Sequence, residues 1–351
     1  MLIVKFGAIG DVVMAIPGAY AMHQAGYRVD WLCGVSIAPV LSLYPWIHVV
    51  PVDDGSLLRG GKLDRLRAIA RLWRQLAGRR YDIIATLYYD ARYRILTLPV
   101  RSLQRTTLSH TDRRFALIPG RHHTDEYARI LAGRADGETP TSFAPILATG
   151  LPSNPVPRSP GKDRVVLVAG GARNALRDDA LRRWPVESYA ALAEGLLRQG
   201  YEVVLSGGPD DSWVVPFFAG LPVLDTIGRF SLLQTLALLE SADLVITHDT
   251  GPLHLAGITS TAILTLFGPT DPHGRLPQRA NCVALWGGEH FACRPCYDGR
   301  DYAPCSHNGC IREITPALAL HYALRLLAAA SDGRPLAPQV FTTHNPGLVK
   351  L

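Results

Sequence analysis

Two short apolar runs stand close together in the sequence, residues 244–246 and Ala262–Phe267, and each ends in a polar turn. Runs this short, rich in Leu, Ile and Val and without alternation, read as parallel strands buried on both faces. The first passes through Thr247-His248-Asp249-Thr250-Gly251 into residues 252–258, a stretch of helix length. Pro252 suits the first turn of that helix, where its missing N–H costs nothing. The second run ends in Gly268-Pro269-Thr270-Asp271-Pro272. In an open α/β sheet, such strand ends border the crevice where ligands bind, and a helix N-terminus there favours an anion. Two polar turns at adjacent strand ends therefore suggest one pocket for a phosphate and a hydroxyl-rich group.

The same alternation recurs along the whole chain of 351 residues, a length natural for two domains. Strands are expected at residues 2–6, 28–33, 48–52, 81–87, 164–169 and 202–205. Helices are expected at residues 11–25, 37–43, 63–76, 124–131, 186–199, 231–240 and 314–330, and residues 139–147 read as irregular. Residues 151–160 hold four prolines, which cannot join a sheet and make a semi-rigid connection. The expected organisation is a Rossmann-like domain at 1–150, a linker at 151–162, a second Rossmann-like domain at 163–313, and a final helix with its tail at 314–351.

Charge is unevenly spread. The chain carries a formal +6, and residues 59–121 hold 15 basic against 4 acidic side chains. Such a stretch suits an anionic partner, a phosphorylated glycolipid or a membrane surface, or is simply an arginine-rich solvated face. No zinc-finger, RNP or helix-turn-helix pattern supports nucleic acid. No run reaches the ~18–20 apolar residues of a membrane span. Lys5, Asp11 and the Gly7/Gly10 turn break the pattern of a signal peptide, so the expected location is the cytoplasm.

Three further strand ends carry candidate site residues. Gly7-Ala8-Ile9-Gly10 turns into a helix at Asp11, which fits either a capping carboxylate or a functional one. Gly170-Gly171-Ala172-Arg173-Asn174, with Arg182 before Trp184-Pro185, offers close backbone approach and a guanidinium fork for phosphate oxygens. Ser206-Gly207-Gly208-Pro209-Asp210-Asp211 suits a ribose or base, or is a plain turn. Tyr89, Asp90 and Arg92 follow the strand at 81–87 and are candidates for holding an acceptor, with Gly10. Six cysteines in a cytosolic chain are not read as disulfides. Cys293 and Cys296, then Cys305 and Cys310, have the spacing of a structural metal knuckle or are reduced thiols in an insertion, with His307 a substitute ligand.

Several of these stretches resemble one family. Thr247-His248-Asp249-Thr250-Gly251-Pro252-Leu253-His254-Leu255-Ala256 with Phe267-Gly268-Pro269-Thr270 is similar to the signature of the bacterial heptosyltransferases, glycosyltransferase family 9. Phe6-Gly7-Ala8-Ile9-Gly10-Asp11-Val12-Val13, with Pro17, resembles the amino-terminal motif of the same family, and Arg182 takes the place of a Lys before its Trp-Pro pair. Some members carry a similar cysteine-rich loop, a few with iron.

The resemblance implies an α/β chain of the GT-B fold, two Rossmann-like domains whose parallel sheets face each other across a cleft, the last helix crossing back to the first domain. It implies inverting, metal-independent transfer of a heptose from ADP-heptose to a sugar hydroxyl of the lipopolysaccharide inner core. Asp11 would be the catalytic base. Gly170, Gly171, Arg182, Gly207, Gly208, Asp210, Asp249, Thr250, Gly251 and His254 would hold the donor. Zinc and iron both stay open for the four cysteines, and contact with the cytoplasmic face of the inner membrane is a further expectation. Alternatives are another acceptor (a protein or small glycoside), another nucleotide sugar, a sugar-nucleotide epimerase of the same fold, or a non-catalytic binding subunit.

Overall fold

The computed structural model of the chain describes residues 1–112, 114–134, 143–173, 178–299 and 301–343. Asn174 of the glycine loop, residues 139–142 of the expected irregular stretch and residues 344–351 of the tail lie outside them. The chain divides into two units, Met1–Gly150 and Leu151–Leu351.

The first unit runs β1 (Leu2–Val4), α1 (Ile9–Gln24), β2 (Val29–Gly34), α2 (Ala38–Leu41), β3 (Ile47–Val52), α3 (Asp54–Arg59), α4 (Lys62–Leu76), β4 (Arg80–Thr86), β5 (Arg101–Thr107) and α5 (His123–Leu131). Its sheet has the order β3-β2-β1-β4-β5, and every pair is parallel. Leu2, Val4, Leu32 and Ile84 are buried in one core, because helices cover both faces and no polar alternation is needed. The order reverses between β1 and β4, which places the segment after β1 at a topological switch point. Helices α1 and α5 meet at Gly18, where a Cβ would stand 2.6 Å from the Ala128 Cα. On α4, Ala68, Leu72 and Leu76 are buried, whereas Leu63 and Leu66, expected on the same apolar face, are 68% and 63% exposed.

The second unit runs β6 (Arg164–Val168), α6 (Val186–Arg198), β7 (Glu202–Leu205), β8 (Leu224–Asp225), α7 (Leu232–Glu240), β9 (Leu244–His248), α8 (Gly251–Gly257), β10 (Ala262–Phe267), β11 (Cys282–Trp286), α9 (Gly309–Arg312), α10 (Pro316–Ser331) and β12 (Gln339–Thr342). The sheet is again parallel, in the order β12-β11-β10-β9-β6-β7-β8, and its switch point lies between β6 and β9. Ser231 caps α7 by accepting from the Gln234 N–H while the Gln234 amide reaches back, a complete capping box.

Two connecting segments have partners within the second unit. The proline-rich stretch is docked on the second unit: buried Arg164 donates to the carbonyls of Val156 at 3.0 Å and Pro157 at 2.6 Å, and pairs with Glu202 at 2.5 Å. Prolines lack donors but keep their carbonyls, so a guanidinium can staple such a segment. The last helix, α10, buries Ala319, Tyr322, Ala323, Leu326 and Leu327 in the core of the second unit.

Candidate active site

Asp11 lies in the first turn of α1, whose N-cap is Ala8 with no side-chain cap bond. The Asp11 carboxylate is therefore not spent on capping. One oxygen accepts from Lys5 Nζ at 2.9 Å and the other from the Tyr127 hydroxyl at 3.0 Å, with the side chain 35% exposed. Burial pushes its pKa up, but the Lys5 charge and hydrogen bond, with His123 and Tyr127, more than offset this and bring it down to about 2. Lys5 itself is buried, donates also to the Leu87 carbonyl at 3.1 Å and sits 4.3 Å from the centre of the Tyr88 ring. The Tyr88 hydroxyl accepts from the N–H groups of Phe6 (2.9 Å) and Gly7 (3.1 Å), pinning the turn that leads to Asp11.

The residues nominated for the acceptor are arranged differently. Gly10 is buried within the first turn of α1. Tyr89 stacks on His110 at 3.7 Å. Asp90 caps the 3₁₀ turn Ala91–Thr97, accepting from the Arg92 N–H at 2.9 Å and pairing with the Arg92 guanidinium at 2.6 Å. Tyr88, one position earlier in the chain, is the aromatic that reaches the Gly7 turn.

At the second switch point, two glycine turns are tied together by one carboxylate. Asp211 accepts from the Gly171 N–H at 2.7 Å and from the Gly208 N–H at 2.8 Å. Gly170 leaves it room, since a Cβ there would stand 2.4 Å from the Asp211 Cγ, and one on Gly207 would stand 2.9 Å from Oδ2. Gly171 has φ +85°, a conformation glycine adopts without strain. Asp210 borders a cavity of about 270 Å³ with Arg173, Asp178, Arg183, Asp211 and Trp213.

Asp249, at the end of β9, is 2% exposed. Its Oδ2 accepts from the Thr270 hydroxyl at 2.7 Å and lies 3.4 Å from Arg182 and 3.6 Å from Arg275. Burial would raise its pKa, but Arg182, Arg275 and Thr270 bring it down to about 2. The two turns after β9 and β10 are thus joined through Asp249 and Thr270. Thr250, the N-cap residue of α8, makes no side-chain capping bond; its hydroxyl accepts from the Ala172 N–H at 2.8 Å and so links the first glycine turn to this corner. Gly251 begins α8, and His254 is buried on it. Beneath lies His248, whose Nδ1 is 3.1 Å from the Tyr189 hydroxyl while Nε2 is buried without a hydrogen-bond partner. Burial and Arg183 bring its pKa down to about 3, so the ring is neutral.

The metal expected at Cys293, Cys296, Cys305 and Cys310 is not supported. Among the described residues no group of three or more His, Cys, Asp or Glu side chains is placed to hold a metal ion. Other bonds involve two of these sulfurs: Cys305 Sγ accepts from the Asn308 N–H, and Cys310 Sγ donates to the Asn308 side chain.

Sequence reasoning missed Lys5, Tyr127, Asp211 as the tie between the turns, Arg275 and Tyr302. Lys5 alone left a signal, a charged residue inside the apolar run Leu2-Ile3-Val4-Lys5-Phe6.

Two parallel α/β units, each with a turn-built polar site at its switch point, define the GT-B class of glycosyltransferase folds. Residues 69–307 match the family model described as glycosyltransferase family 9 (heptosyltransferase). The chain is 24% identical over 313 residues to lipopolysaccharide heptosyltransferase 3 of Escherichia coli, covering 80% of this chain and 86% of that one. It is 32% identical over 156 residues to lipooligosaccharide heptosyltransferase 2 of Haemophilus influenzae, a match spanning 42% of this chain and 44% of that protein. The solved structure of Escherichia coli ADP-heptose LPS heptosyltransferase II has the same fold, with a TM-score of 0.68 at 18% identity, over 94% of this chain and 99% of that one. The chain belongs to glycosyltransferase family 9 and is a glycosyltransferase enzyme. The matched segment begins after Asp11, so the reading of that residue rests on its motif and its geometry.

Proposed function

We propose that the enzyme transfers a heptose from ADP-heptose to a sugar hydroxyl of the lipopolysaccharide inner core, with inversion and without a catalytic metal. The observation that carries this reading is the pair of guanidiniums, Arg182 and Arg275, gathered on buried Asp249 at the switch point of the second unit. Two fixed positive forks there suit a nucleoside diphosphate, and they can stabilise the charge of the departing ADP in the role a metal fills elsewhere. The Gly170–Gly171 and Gly207–Gly208 turns would take the backbone side of the nucleotide, with Asp210, Thr250, Gly251 and His254 around it. The relatives' names supply the sugar and the acceptor class.

In the first unit, Asp11 would accept the proton of the acceptor hydroxyl as the new bond forms, and Tyr127 would hold the carboxylate in place. Gly10, Tyr88 and Tyr89 would border the acceptor. No helix among the described residues is long and apolar enough to cross a membrane. The exposed leucines and arginines of α4 support a peripheral contact with an anionic membrane face instead. A structural zinc or iron at the cysteines is no part of this reading.

Incubation with ADP-heptose, with and without core oligosaccharide and with and without a chelator, tests the proposal. The expected product is a heptosylated oligosaccharide of inverted anomeric configuration by NMR, formed only with acceptor and equally with chelator. Consumption of nucleotide sugar without acceptor would favour an epimerase, and transfer only to a peptide or small glycoside would replace the acceptor.

A further inference from the structure

We propose that the cysteine-rich segment 293–310 is a working wall of the donor site, in which Tyr302 and Tyr297 are positioning residues for Arg182 and Arg275. The inference rests on the donor reading above and assigns this segment a role in it.

The segment is hung on the donor corner itself. The N–H groups of Cys296 and Tyr297 both donate to the Pro269 carbonyl, at 3.0 and 3.3 Å, in the same turn whose Thr270 holds Asp249. Ala303 N–H returns to the Cys296 carbonyl at 3.0 Å, and Tyr297 and Tyr302 form an isolated antiparallel bridge. Their rings pack at 4.8 Å. Arg294 anchors the start of the segment, donating to the carbonyls of Trp286 and Gly287 and lying 3.8 Å from the centre of the Trp286 ring.

The two tyrosines then face the two guanidiniums. Arg182 Nε donates to the Tyr302 hydroxyl. The Arg182 Cζ lies 5.0 Å from the Tyr297 ring centre and 5.8 Å from that of Tyr302, and the Arg275 Cζ lies 5.6 Å from Tyr297. By contrast, neither arginine makes a short bond to Asp249, at 3.4 and 3.6 Å. Asp249 therefore supplies charge balance but not orientation. A buried carboxylate beside two guanidiniums competes with phosphate for them, and a bidentate Arg–carboxylate pair is the strong form of that competition. A second carboxylate, Asp179, lies 3.8 Å from Arg182 Nη2, again too far for a short bond. With Nε held by Tyr302 and aromatic rings beside the guanidinium, Arg182 does not turn its fork fully onto either carboxylate. Its Nη groups can exchange these loose pairings for diphosphate oxygens, and the ordering is done before the ligand arrives.

Titration calorimetry with ADP tests this on the full chain, using the parent, Tyr302→Phe, Arg182→Ala and the double variant. Tyr302→Phe keeps the ring and removes only the hydroxyl. We expect it to weaken ADP binding on the order of 10-fold, as a hydrogen bond to a charged group would, and both to raise KM for the donor and to lower kcat, because the guanidinium it orients also steadies the departing diphosphate. In the Arg182→Ala background the same change should cost nothing further, because the tyrosine acts only through that guanidinium. Tyr297→Leu should weaken binding by a smaller factor and supplies the measurement if Tyr302→Phe does not fold. Parental affinity in either folded variant overturns the inference, and so does an equal loss in both backgrounds, which would mark a merely structural loop. A parent that does not bind ADP overturns the donor reading itself, and this inference with it.

Discussion

Lys5 Nζ lies 2.9 Å from Asp11 Oδ2, and this contact sets the charge of the carboxylate proposed as the base. Burial alone would push Asp11 up, and Lys5 is the largest influence bringing it down to about 2. Replacing Lys5 with Met removes the cation and leaves burial opposed only by His123 and the Tyr127 hydroxyl. The acid limb of the kcat/KM profile should then move upward by roughly two pH units or more, since the base must be unprotonated to act. An unmoved limb would mean that Asp11 does not carry the proton.

Asp11→Asn separates the catalytic role from the structural one. The rate should fall by about 10²–10⁴ if Asp11 is the base. Stability should fall too, because buried Lys5 loses its ion pair. The double variant Lys5→Met/Asp11→Asn should recover melting temperature but not turnover. Recovery of both would assign the pair to folding alone.

Gly18→Ala tests how Tyr127 is held. The new methyl would stand 2.6 Å from the Ala128 Cα, a backbone atom that cannot yield without moving α5. Overpacking of this kind costs ~1–3 kcal/mol, read by urea unfolding. Because Tyr127 rides on α5, kcat should drop as well. Parental stability and kcat together would show that the helices have slack here.

His248 makes the fold acid-sensitive. Its native pKa is lowered to about 3, whereas an unfolded histidine titrates near ~6.5. Between these values the unfolded chain binds a proton that the native chain does not, so stability rises with pH and is lost as pH falls below the unfolded value. The contribution is about 1.4 kcal/mol per pH unit through that window. His248→Gln should flatten the parent's pH dependence by that slope between pH 6 and 4. Below about pH 4, Asp11 and Asp249, both lowered to about 2, should steepen the loss in parent and variant alike. Parallel curves for parent and variant throughout would show that His248 is protonated in the native state.

Leu63 and Leu66 are 68% and 63% exposed on a helix that also carries Lys62, Arg65, Arg67, Arg71 and Arg74. Apolar anchors among cations suit an anionic bilayer surface. Co-sedimentation with phosphatidylglycerol vesicles should exceed that with phosphatidylcholine. Leu63→Ser/Leu66→Ser should weaken it on the order of 10-fold or more, with turnover of a soluble acceptor unchanged. Equal binding to both lipids would remove the membrane reading.

Most strands were legible because parallel strands buried on both faces leave short apolar runs, as in residues 244–246 and Ala262–Phe267. Four sheet members, β5, β8, β11 and β12, were not. β5, Arg-Ser-Leu-Gln-Arg-Thr-Thr, is an edge strand whose Leu103 is 88% exposed, so no apolar pattern marks it. The site divided in the same way. Gly171, Arg182 and Asp249 stood out because local turn chemistry and strand ends are written in adjacent residues. Tyr127 on Asp11 and Tyr302 on Arg182 join positions 116 and 120 residues apart, and only tertiary packing brings them together. The cysteine spacing suggested a metal knuckle for the converse reason: spacing along a chain does not report where sulfurs point.

The carboxylate of Asp211, bonded at once to the Gly171 and Gly208 N–H groups, makes two separate loops behave as a single solid piece. Glycine turns are ordinarily the softest parts of a chain, and freezing them on a ligand lowers affinity through lost entropy. Here that disorder is removed when the domain folds, whether or not a nucleotide ever arrives. A donor bound as proposed would thus meet two glycine turns already ordered by Asp211, and selectivity would fall to the side chains that stand around them.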